Sequence, residues 1–253
     1  MKEFLSFIRF GICIFTSFLA LTGYMLFNQT GIIAVFVMLE SFLLCASVYS
    51  YNNITDKEED LRNRKRINRY VTGGGLDISV MLGGLGLIFS SFLSLSSFVI
   101  SLTFLLTGFA YSRFRIKKYC AIKNLYTALL IVQIFFLGTM RTGFDWMMIV
   151  YSGFFFTMIL VGSLISDLRD YEGDMDTGFK TIPVVTSKRF SKIFIYFLIF
   201  GMLSLVTVFW VRDLIIFLPL GTLTAVYLSR DKYKTAHLFG SMGFIIMPMW
   251  LII

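Results

Sequence analysis

Charge is scarce in this chain, and so are the residue types that build most metal sites of soluble proteins. Only 15% of the 253 residues are charged, against 57% that are hydrophobic, and a soluble domain of this length does not need 29 Phe. The chain has one histidine, His237, and three scattered cysteines without a CxxC pattern, Cys13, Cys45 and Cys120. Ligand count therefore excludes a Cys/His metal site, and we expect the cysteines to be small core residues rather than disulfide partners.

Long apolar runs are abundant, and each is long enough to cross a bilayer. The sequence predicts an all-α integral membrane protein with nine transmembrane helices, and no removable signal peptide, since the first run is too long and lacks a cleavage pattern. The stretch 78–112 fits two spans with a tight turn at Ser94–Ser97, or one kinked span. The nine predicted spans are 4–27, 31–53, 78–96, 97–112, 122–141, 144–166, 190–211, 213–229 and 235–253.

The basic residues orient these spans. If the chain crosses nine times, 21 of the 23 Lys and Arg residues lie on the side of the N-terminus, and only Arg141 and Arg212 lie on the other. The positive-inside rule then predicts that the N-terminus and the long connections 54–77 and 167–189 are cytoplasmic. The net charge of +8 reflects this topology and anionic lipid headgroups. We expect no nucleic-acid partner, and the sequence implies no protein partner.

Acidic residues concentrate in two short windows of the cytoplasmic connections. A shift of 114 residues superimposes Asp56 on Asp170 and Asp60 on Asp174. This offset predicts two four-helix halves plus a ninth helix, all in a single domain over residues 1–253, with cap loops that carry the acidic residues. Nine of the fifteen acidic residues lie in the two windows: Asp56, Glu58, Glu59, Asp60, Asp167, Asp170, Glu172, Asp174 and Asp176.

The spacing within each window puts oxygen ligands on one face of a helix. The two stripes are Asn52, Asp56 and Asp60, and Asp167, Asp170 and Asp174. Carboxylate and amide oxygens suit Mg²⁺, which proteins commonly hold with one or two carboxylates and substrate phosphates. Two facing stripes would bind such ions around a diphosphate and neutralise it as a C–O bond breaks. The alternative is two solvated charged loops.

These residues carry a family resemblance over essentially the whole chain. NNITDKEED and SDLRDYEGDMDTGFKTIPV resemble the two acidic motifs of the UbiA family of intramembrane prenyltransferases, and INRYVTGG resembles the family's NRPxxSG segment. The run from Tyr111 to Asn124 resembles the family's loop of a Tyr and basic residues, and Arg9 resembles an Arg near its first helix. Where the family usually has prolines, this chain has Phe10 and Tyr70.

The resemblance implies a Mg²⁺-dependent transfer of a polyprenyl group from an allylic polyprenyl diphosphate to a small-molecule or lipid acceptor, with release of pyrophosphate. It implies that Asn52, Asp56 and Asp60 hold one metal ion, and Asp170 and Asp174 another. Asp167, Tyr111 and Arg115 are then candidate catalytic residues, with Asp167 a ligand or acceptor base. The implied diphosphate-binding residues are Asn52, Arg69, Lys117, Lys123 and Lys180.

Three functions remain open at this point. The first is transfer to an aromatic or lipid acceptor, and the second is a UbiA-type terpene cyclase that quenches the cation internally. The third is a non-enzymatic membrane transporter or lipid-binding protein. Glu40, deep in a predicted span, is either a contact for a polar acceptor or a hydrogen-bonded structural group. The segment GSLIS around Ser163 replaces a charged pair often seen in lipid-forming members, which leaves the acceptor undetermined.

Overall fold

The computed structural model describes residues 1–28, 31–62, 66–139, 144–208 and 210–252, without the side chains of Glu59 and Arg62. Throughout these ranges the regular elements are helices, and no strand occurs in them. Part of the predicted charge pattern lies outside the described residues, namely Arg64, Lys65, Arg141 and the side chains of Glu59 and Arg62.

Fourteen α-helices follow one another in the described ranges, with short 3₁₀ turns at Ile116–Lys118 and Arg212–Leu214. They are α1 (Lys2–Phe7), α2 (Phe10–Phe27), α3 (Ile32–Thr55), α4 (Lys57–Arg62), α5 (Arg69–Thr72), α6 (Gly75–Leu93), α7 (Leu95–Arg113), α8 (Ile122–Thr139), α9 (Trp146–Arg169), α10 (Tyr171–Thr177), α11 (Ile182–Val185), α12 (Lys188–Val208), α13 (Phe217–Ser229) and α14 (Tyr233–Trp250).

Eight helical segments of the described chain are long and apolar enough to cross a membrane. They are α2, α3, α6, α7, α8, α9, α12 and the segment Arg212–Ser229 that contains α13. Helix α14 occupies the position of the ninth predicted span, but it carries Lys234 and His237 near its start and is not among the eight. The count of nine therefore stays a prediction.

Two apolar stretches of the sequence, 78–112 and 4–27, are each divided between two helices. The stretch 78–112 forms two helices that meet at Ser94, whose Oγ accepts a hydrogen bond from the Ser97 amide at 3.0 Å, as the tight-turn interpretation predicts. The first predicted span is instead broken into α1 and α2. Arg9, between them, has φ 51° and ψ 53°, a left-handed conformation that costs energy in a residue other than glycine.

The chain divides into two compact units. Unit 1 comprises Met1–Ile116 and Gln133–Phe144, and unit 2 comprises Lys117–Val132 and Asp145–Ile253. The first acidic cluster belongs to unit 1 and the second to unit 2. The prediction of a single domain stays a prediction.

Helix α3 is the centre of unit 1, where it packs against α2, α6 and α7. Ser47 and Ser79 donate to each other's backbone carbonyl at 2.7 and 2.8 Å, which joins α3 to α6 through fully buried hydroxyls. Gly86 lets α6 approach the side chain of Leu44, because a Cβ at this position would lie 2.7 Å from it. Close packing of small residues is how helices associate where no hydrophobic effect drives them together.

Helix α9 has the same central place in unit 2, where it packs against α12 and α14. The core of this unit is aromatic. Phe154 and Phe155 of α9 contact Phe217 of α13 with ring centroids 4.8 and 6.2 Å apart, and Phe155 also contacts Phe244 of α14. All four rings are buried, so the core of unit 2 consists in part of aromatic rings in contact with one another.

The helix order of the two units repeats. Helices α3 and α9 both have 24 residues and start 114 positions apart, and α2 and α8 both have 18 residues and start 112 apart. The short helices follow the same plan, since α4 and α10 start 114 apart and α5 and α11 start 113 apart. The helix pattern thus supports the repeat that the acidic clusters predicted.

Candidate active site

Each acidic cluster lies where a 24-residue helix gives way to a short one. Asp56 is the single residue between α3 and α4, with φ −84° and ψ −3°, and Asp170 is the single residue between α9 and α10, with φ −94° and ψ 5°. The two junctions are 114 residues apart, as the sequence offset requires.

The backbone stays nearly helical through both junctions. The Asp56 amide donates to the Asn52 carbonyl at 3.0 Å, and the Asp60 amide donates to the Asp56 carbonyl at 2.9 Å. In the second cluster the Asp174 amide donates to the Asp170 carbonyl at 3.0 Å. Because i→i+4 bonds continue, each cluster keeps the one-sided arrangement that its spacing predicts.

In unit 1 the guanidinium of Arg9, the residue at the break between α1 and α2, contacts the first cluster. Its Nη2 donates to Asn52 Oδ1 at 3.1 Å and to Asn53 Oδ1 at 3.0 Å. The other ends of the amides are fixed as well, since Asn52 Nδ2 donates to Ser112 Oγ at 3.3 Å and Asn53 Nδ2 donates to the Phe7 carbonyl at 2.6 Å. Asn52, only 8% exposed, is therefore held in one orientation with its carbonyl oxygen toward a cation.

Three further predicted residues of unit 1 lie near its helix ends. Arg115, which has φ 50°, forms an ion pair with Glu58 of α4 at 3.5 Å. Arg69, at the start of α5, is paired with Glu3 at 3.2 Å. Tyr111 is half-buried in the last turn of α7. Both arginines thus contact acidic residues that the sequence did not assign to them.

In unit 2 the most buried member of the second cluster is Asp167, at 3% exposure. Both of its oxygens accept hydrogen bonds: Lys123 Nζ donates to Oδ1 at 2.5 Å, and Asn124 Nδ2 donates to Oδ2 at 2.9 Å. Ser163 Oγ in turn donates to Asn124 Oδ1 at 2.7 Å. A buried polar network in which each member is paired holds its groups rigidly.

The other carboxylates of this cluster are more accessible. Asp170 is exposed and accepts two hydrogen bonds from Arg169, from Nε to Oδ1 and from Nη2 to Oδ2, both at 2.8 Å. Burial raises the pKa of the half-buried Asp174, and the positive charge of Lys123 partly opposes that rise. Lys117 is half-buried in the 3₁₀ turn Ile116–Lys118, and Lys180 is exposed after α10.

The 114-residue offset also relates the contacts within the two units. Adding 114 to Arg9 gives Lys123, and adding 114 to Asn53 gives Asp167. The pairs Arg9–Asn53 and Lys123–Asp167 both join a cation at the start of an 18-residue helix to an oxygen near the end of a 24-residue helix, at 3.0 and 2.5 Å. The repeat therefore extends to side-chain interactions.

The donor set fits a hard cation. The clusters offer carboxylate and amide oxygens, with no thiolate or imidazole among them, which is the chemistry that Mg²⁺ prefers. In the part of the chain that the structure describes, no three His, Cys, Asp or Glu side chains group closely enough to hold an ion by themselves.

Several residues of these arrangements were missed by the sequence argument. Asn53 carried a usable signal, because the offset pairs it with Asp167. Glu3 and Ser112 carried none, because their contacts join residues 63 or 60 positions apart. Such distant pairs have no local spacing that a sequence pattern can reveal.

Glu40 does not belong to either cluster. It is fully buried in α3, 12 residues and about 18 Å before Asn52. Its Oε1 accepts a hydrogen bond from Ser101 Oγ of α7 at 2.7 Å, and its Oε2 has no hydrogen-bond partner among the described residues. The contact joins α3 to α7 within unit 1, as the structural interpretation of this residue expects.

Comparison with known proteins agrees with these features. A digeranylgeranylglyceryl phosphate synthase from Thermococcus gammatolerans is 27% identical over 165 residues, which cover 63% of this chain and 59% of that protein. A solved UbiA homolog from Archaeoglobus fulgidus bound to DMAPP and Mg2+ is 18% identical, with 99% of each chain covered and a TM-score of 0.74. The apo structure of a UbiA homolog from Aeropyrum pernix K1 is 15% identical, with 96% of this chain and 97% of that chain covered and a TM-score of 0.77.

The solved structures, at these identities, establish a shared fold. The model of the UbiA prenyltransferase family matches residues 8–249, nearly the whole sequence, and so confirms the resemblance. Together with the long apolar helices, this match makes the protein a multi-pass integral membrane protein. The chain belongs to the UbiA prenyltransferase family.

Proposed function

We propose that this protein is a Mg²⁺-dependent prenyltransferase that moves a polyprenyl group from an allylic polyprenyl diphosphate to an acceptor in the membrane and releases pyrophosphate. The observation that carries the proposal is the pair of equivalent helix junctions at Asp56 and Asp170. Each presents carboxylates suited to a divalent ion close to cations suited to a polyanion. The family match and the long apolar helices, which suit an isoprenoid substrate, support it.

In this proposal five residues hold Mg²⁺, namely Asn52, Asp56, Asp60, Asp170 and Asp174. When bound there, Mg²⁺ would supply Lewis acidity that neutralises the leaving diphosphate. Further candidate cations for diphosphate oxygens are Arg69 and Arg115 in unit 1 and Lys117 and Lys180 in unit 2, since positive charge is expected around a departing phosphate. Lys123 contributes more indirectly, because its ammonium already lies 2.5 Å from Asp167.

The reaction begins when the C–O bond between the prenyl group and the diphosphate breaks. The bonding electrons leave with the diphosphate, and an allylic carbocation remains. A nucleophilic atom of the acceptor then forms the new bond to carbon and gives up its proton. Tyr111 offers an aromatic face to the cation. Asp167, fixed by Lys123 and Asn124, keeps that ammonium in place and is the candidate base for the acceptor proton.

For the substrates we propose a donor of C15 to C20 length and a lipid acceptor. The relative from Thermococcus gammatolerans bears the name of a synthase that makes a phosphorylated glycerol lipid. A solved homolog was obtained with DMAPP and Mg2+, and another with GPP and Mg2+. An aromatic acceptor is the second candidate. The excess of basic residues supports a cytoplasmic position for the N-terminus and both clusters.

The test uses the full chain, purified in detergent or nanodiscs. Pyrophosphate release is measured with farnesyl and geranylgeranyl diphosphate, with and without geranylgeranylglyceryl phosphate or an aromatic acceptor, and products are identified by mass spectrometry. We expect release that stops with EDTA and returns with Mg²⁺. Prenyl products formed without an acceptor would instead favour the terpene cyclase. Release from no donor, with Asp56→Ala indistinguishable from wild type, would exclude the enzyme.

A further inference from the structure

The segment Arg66–Thr72 follows the first acidic cluster and contains Arg69, a predicted diphosphate ligand. Three contacts attach this segment to Glu3 of α1. Glu3 Oε1 is paired with Arg66 Nη2 at 3.1 Å, and Glu3 Oε2 is paired with Arg69 Nε at 3.2 Å. In addition, Asn68 Nδ2 donates to the Glu3 carbonyl at 2.7 Å. A single residue of α1 therefore contacts Arg66, Arg69 and the N-cap residue Asn68 that lies between them.

Asn68 also determines where α5 begins. Its Oδ1 accepts a hydrogen bond from the Tyr70 amide at 3.1 Å, so it is the N-cap of that helix. Because the other end of the same amide group is attached to Glu3, the start of α5 and the position of Arg69 depend on α1.

Aromatic packing reinforces this attachment. The Tyr70 ring lies against Phe4 and Phe7 of α1, with centroids 5.8 and 5.5 Å apart. Gly75 makes the close approach feasible, because a Cβ there would lie 2.2 Å from the Tyr70 carbonyl oxygen and 2.9 Å from the Phe7 ring. These contacts hold Tyr70, the residue that follows Arg69, against α1.

The attachment leaves Arg69 able to bind an oxyanion. A guanidinium has five N–H donors. In Arg69, Nε is paired with Glu3 Oε2, and Nη2 donates a hydrogen bond to the Tyr70 hydroxyl at 3.0 Å. The guanidinium also lies over the Tyr70 ring at 4.9 Å. Its orientation is thus restricted by three contacts, while the side chain is 65% exposed and further donors remain for a phosphate group.

We propose that α1 acts as an N-terminal clasp, formed by Glu3, Phe4 and Phe7, which pre-positions Arg69 for the donor diphosphate. Glu3 is a positioning residue, since it acts through Arg69. The inference rests on the proposed function and assigns it an element outside both acidic motifs. Exposed ion pairs contribute little to stability, so the effect of Glu3 lies in ordering a flexible side chain before the ligand arrives.

The test compares Glu3→Gln with Asp77→Asn. Both substitutions remove one negative charge, and Asp77 is exposed in the first turn of α6 of the same unit. Affinity is measured for the non-reactive analogue farnesyl thiolodiphosphate in the presence of Mg²⁺, and KM and kcat for farnesyl diphosphate. We expect Glu3→Gln to raise Kd and KM by about 3- to 10-fold with kcat changed less than about 2-fold. Asp77→Asn should change neither.

An Arg69→Gln background tests the route of the effect. In that background Glu3→Gln should cost no further affinity, because the side chain that it positions is gone. Arg66→Gln removes the other ion pair of Glu3 and leaves the Glu3–Arg69 pair in place, so it should keep Kd within about 2-fold of wild type. If Glu3→Gln reduces the thermal unfolding midpoint, Arg66→Gln still shows whether loss of a Glu3 ion pair other than that to Arg69 changes Kd. A Glu3→Gln protein that binds the analogue like wild type, or an equal loss in the Arg69→Gln background, would overturn the clasp alone. A wild type that neither binds the analogue nor releases pyrophosphate would overturn the proposed function as well.

Discussion

Units 1 and 2 share a backbone plan, but the equivalent cation in each unit contacts a different kind of partner. In both, a cation at the start of an 18-residue helix contacts a side chain near the end of a 24-residue helix. In unit 1 the cation is Arg9 and its partners are two neutral amides, Asn52 and Asn53. In unit 2 the cation is Lys123 and its partner is the buried carboxylate of Asp167.

This difference has a consequence for charge. Arg9 keeps its full positive charge beside Asn52, whereas the charge of Lys123 is largely compensated by Asp167. Unit 1 therefore offers a cation beside the first acidic cluster, and unit 2 offers a rigid ion pair beside the second. A repeated backbone arrangement does not require a repeated charge distribution. Asn53 in one unit and Asp167 in the other occupy equivalent positions, and this one difference changes the net charge of the pair.

The junction carboxylates should show the largest effect. We expect Asp56→Asn and Asp170→Asn each to lower kcat/KM for the donor by about 10²–10³-fold, because each removes a carboxylate ligand of the Mg²⁺ that would neutralise the leaving group. Pyrophosphate release measures the loss, and Asp77→Asn, which changes the same charge at an exposed site, is the control. If only one junction variant loses activity, the two units do not contribute equivalent ligands.

Replacing Lys123 and Arg9 should lower the free energy of unfolding by different amounts in the two units. Lys123→Met leaves a buried carboxylate without its counter-ion and should cost about 3 kcal/mol, while Arg9→Met leaves amides and should cost about 1–2 kcal/mol. Thermal unfolding in detergent gives the ranking. Adding Asp167→Asn to Lys123→Met should recover part of the loss. An equal or larger loss for Arg9→Met would show that charge is not what distinguishes the units.

Glycines in the two cores should differ in the same assay. At Gly138 in unit 1 a Cβ would lie 2.2 Å from the Ala20 carbonyl oxygen and 2.3 Å from the Tyr24 amide nitrogen, both backbone atoms that cannot move independently. At Gly243 in unit 2 it would lie 2.1 Å from the Phe217 ring, which can shift. We expect about 3 kcal/mol for Gly138→Ala and about 1–2 kcal/mol for Gly243→Ala. The opposite order would mean that the aromatic core of unit 2 is the more rigid of the two.

The smallest effect concerns two glutamates that the offset makes equivalent, Glu58 and Glu172. Glu58 is paired with Arg115 at 3.5 Å and Glu172 with Lys188 at 3.6 Å, and Lys188 also lies 4.3 Å from the Tyr171 ring centre. Exposed pairs contribute little, so Glu58→Gln and Glu172→Gln should each change kcat/KM less than about 3-fold, and less still at high salt. A loss comparable with that of the junction variants would make these glutamates part of the binding site.

Much of the fold was predictable because a membrane restricts it. Apolar runs predicted the long helices, and the serines at Ser94 and Ser97 predicted the turn between α6 and α7. The offset predicted the two junctions. It did not reveal the break at Arg9, because the run 4–27 is apolar on both sides of that residue and nothing local requires a left-handed conformation there.

Side-chain partners were harder to predict than positions. Lys123 was predicted to face a diphosphate, and the structure gives it Asp167 as a neighbour. Arg115 and Arg69 were given the same role, and they contact Glu58 and Glu3. Each assignment to the diphosphate stays a prediction. A loop cation satisfies the positive-inside rule wherever its side chain points, so sequence alone cannot choose its partner.

The sequence by itself determined the class of protein, the order of its long helices and the place of its acidic clusters, because hydrophobic length and helical spacing are properties of a local stretch of chain. Only the tertiary structure decided which partner each of these polar groups contacts: Arg9 for the two amides, Lys123 for Asp167, and Glu3 for Arg69. These pairs join residues more than 40 positions apart, and only the packing of helices brings such residues within hydrogen-bond distance.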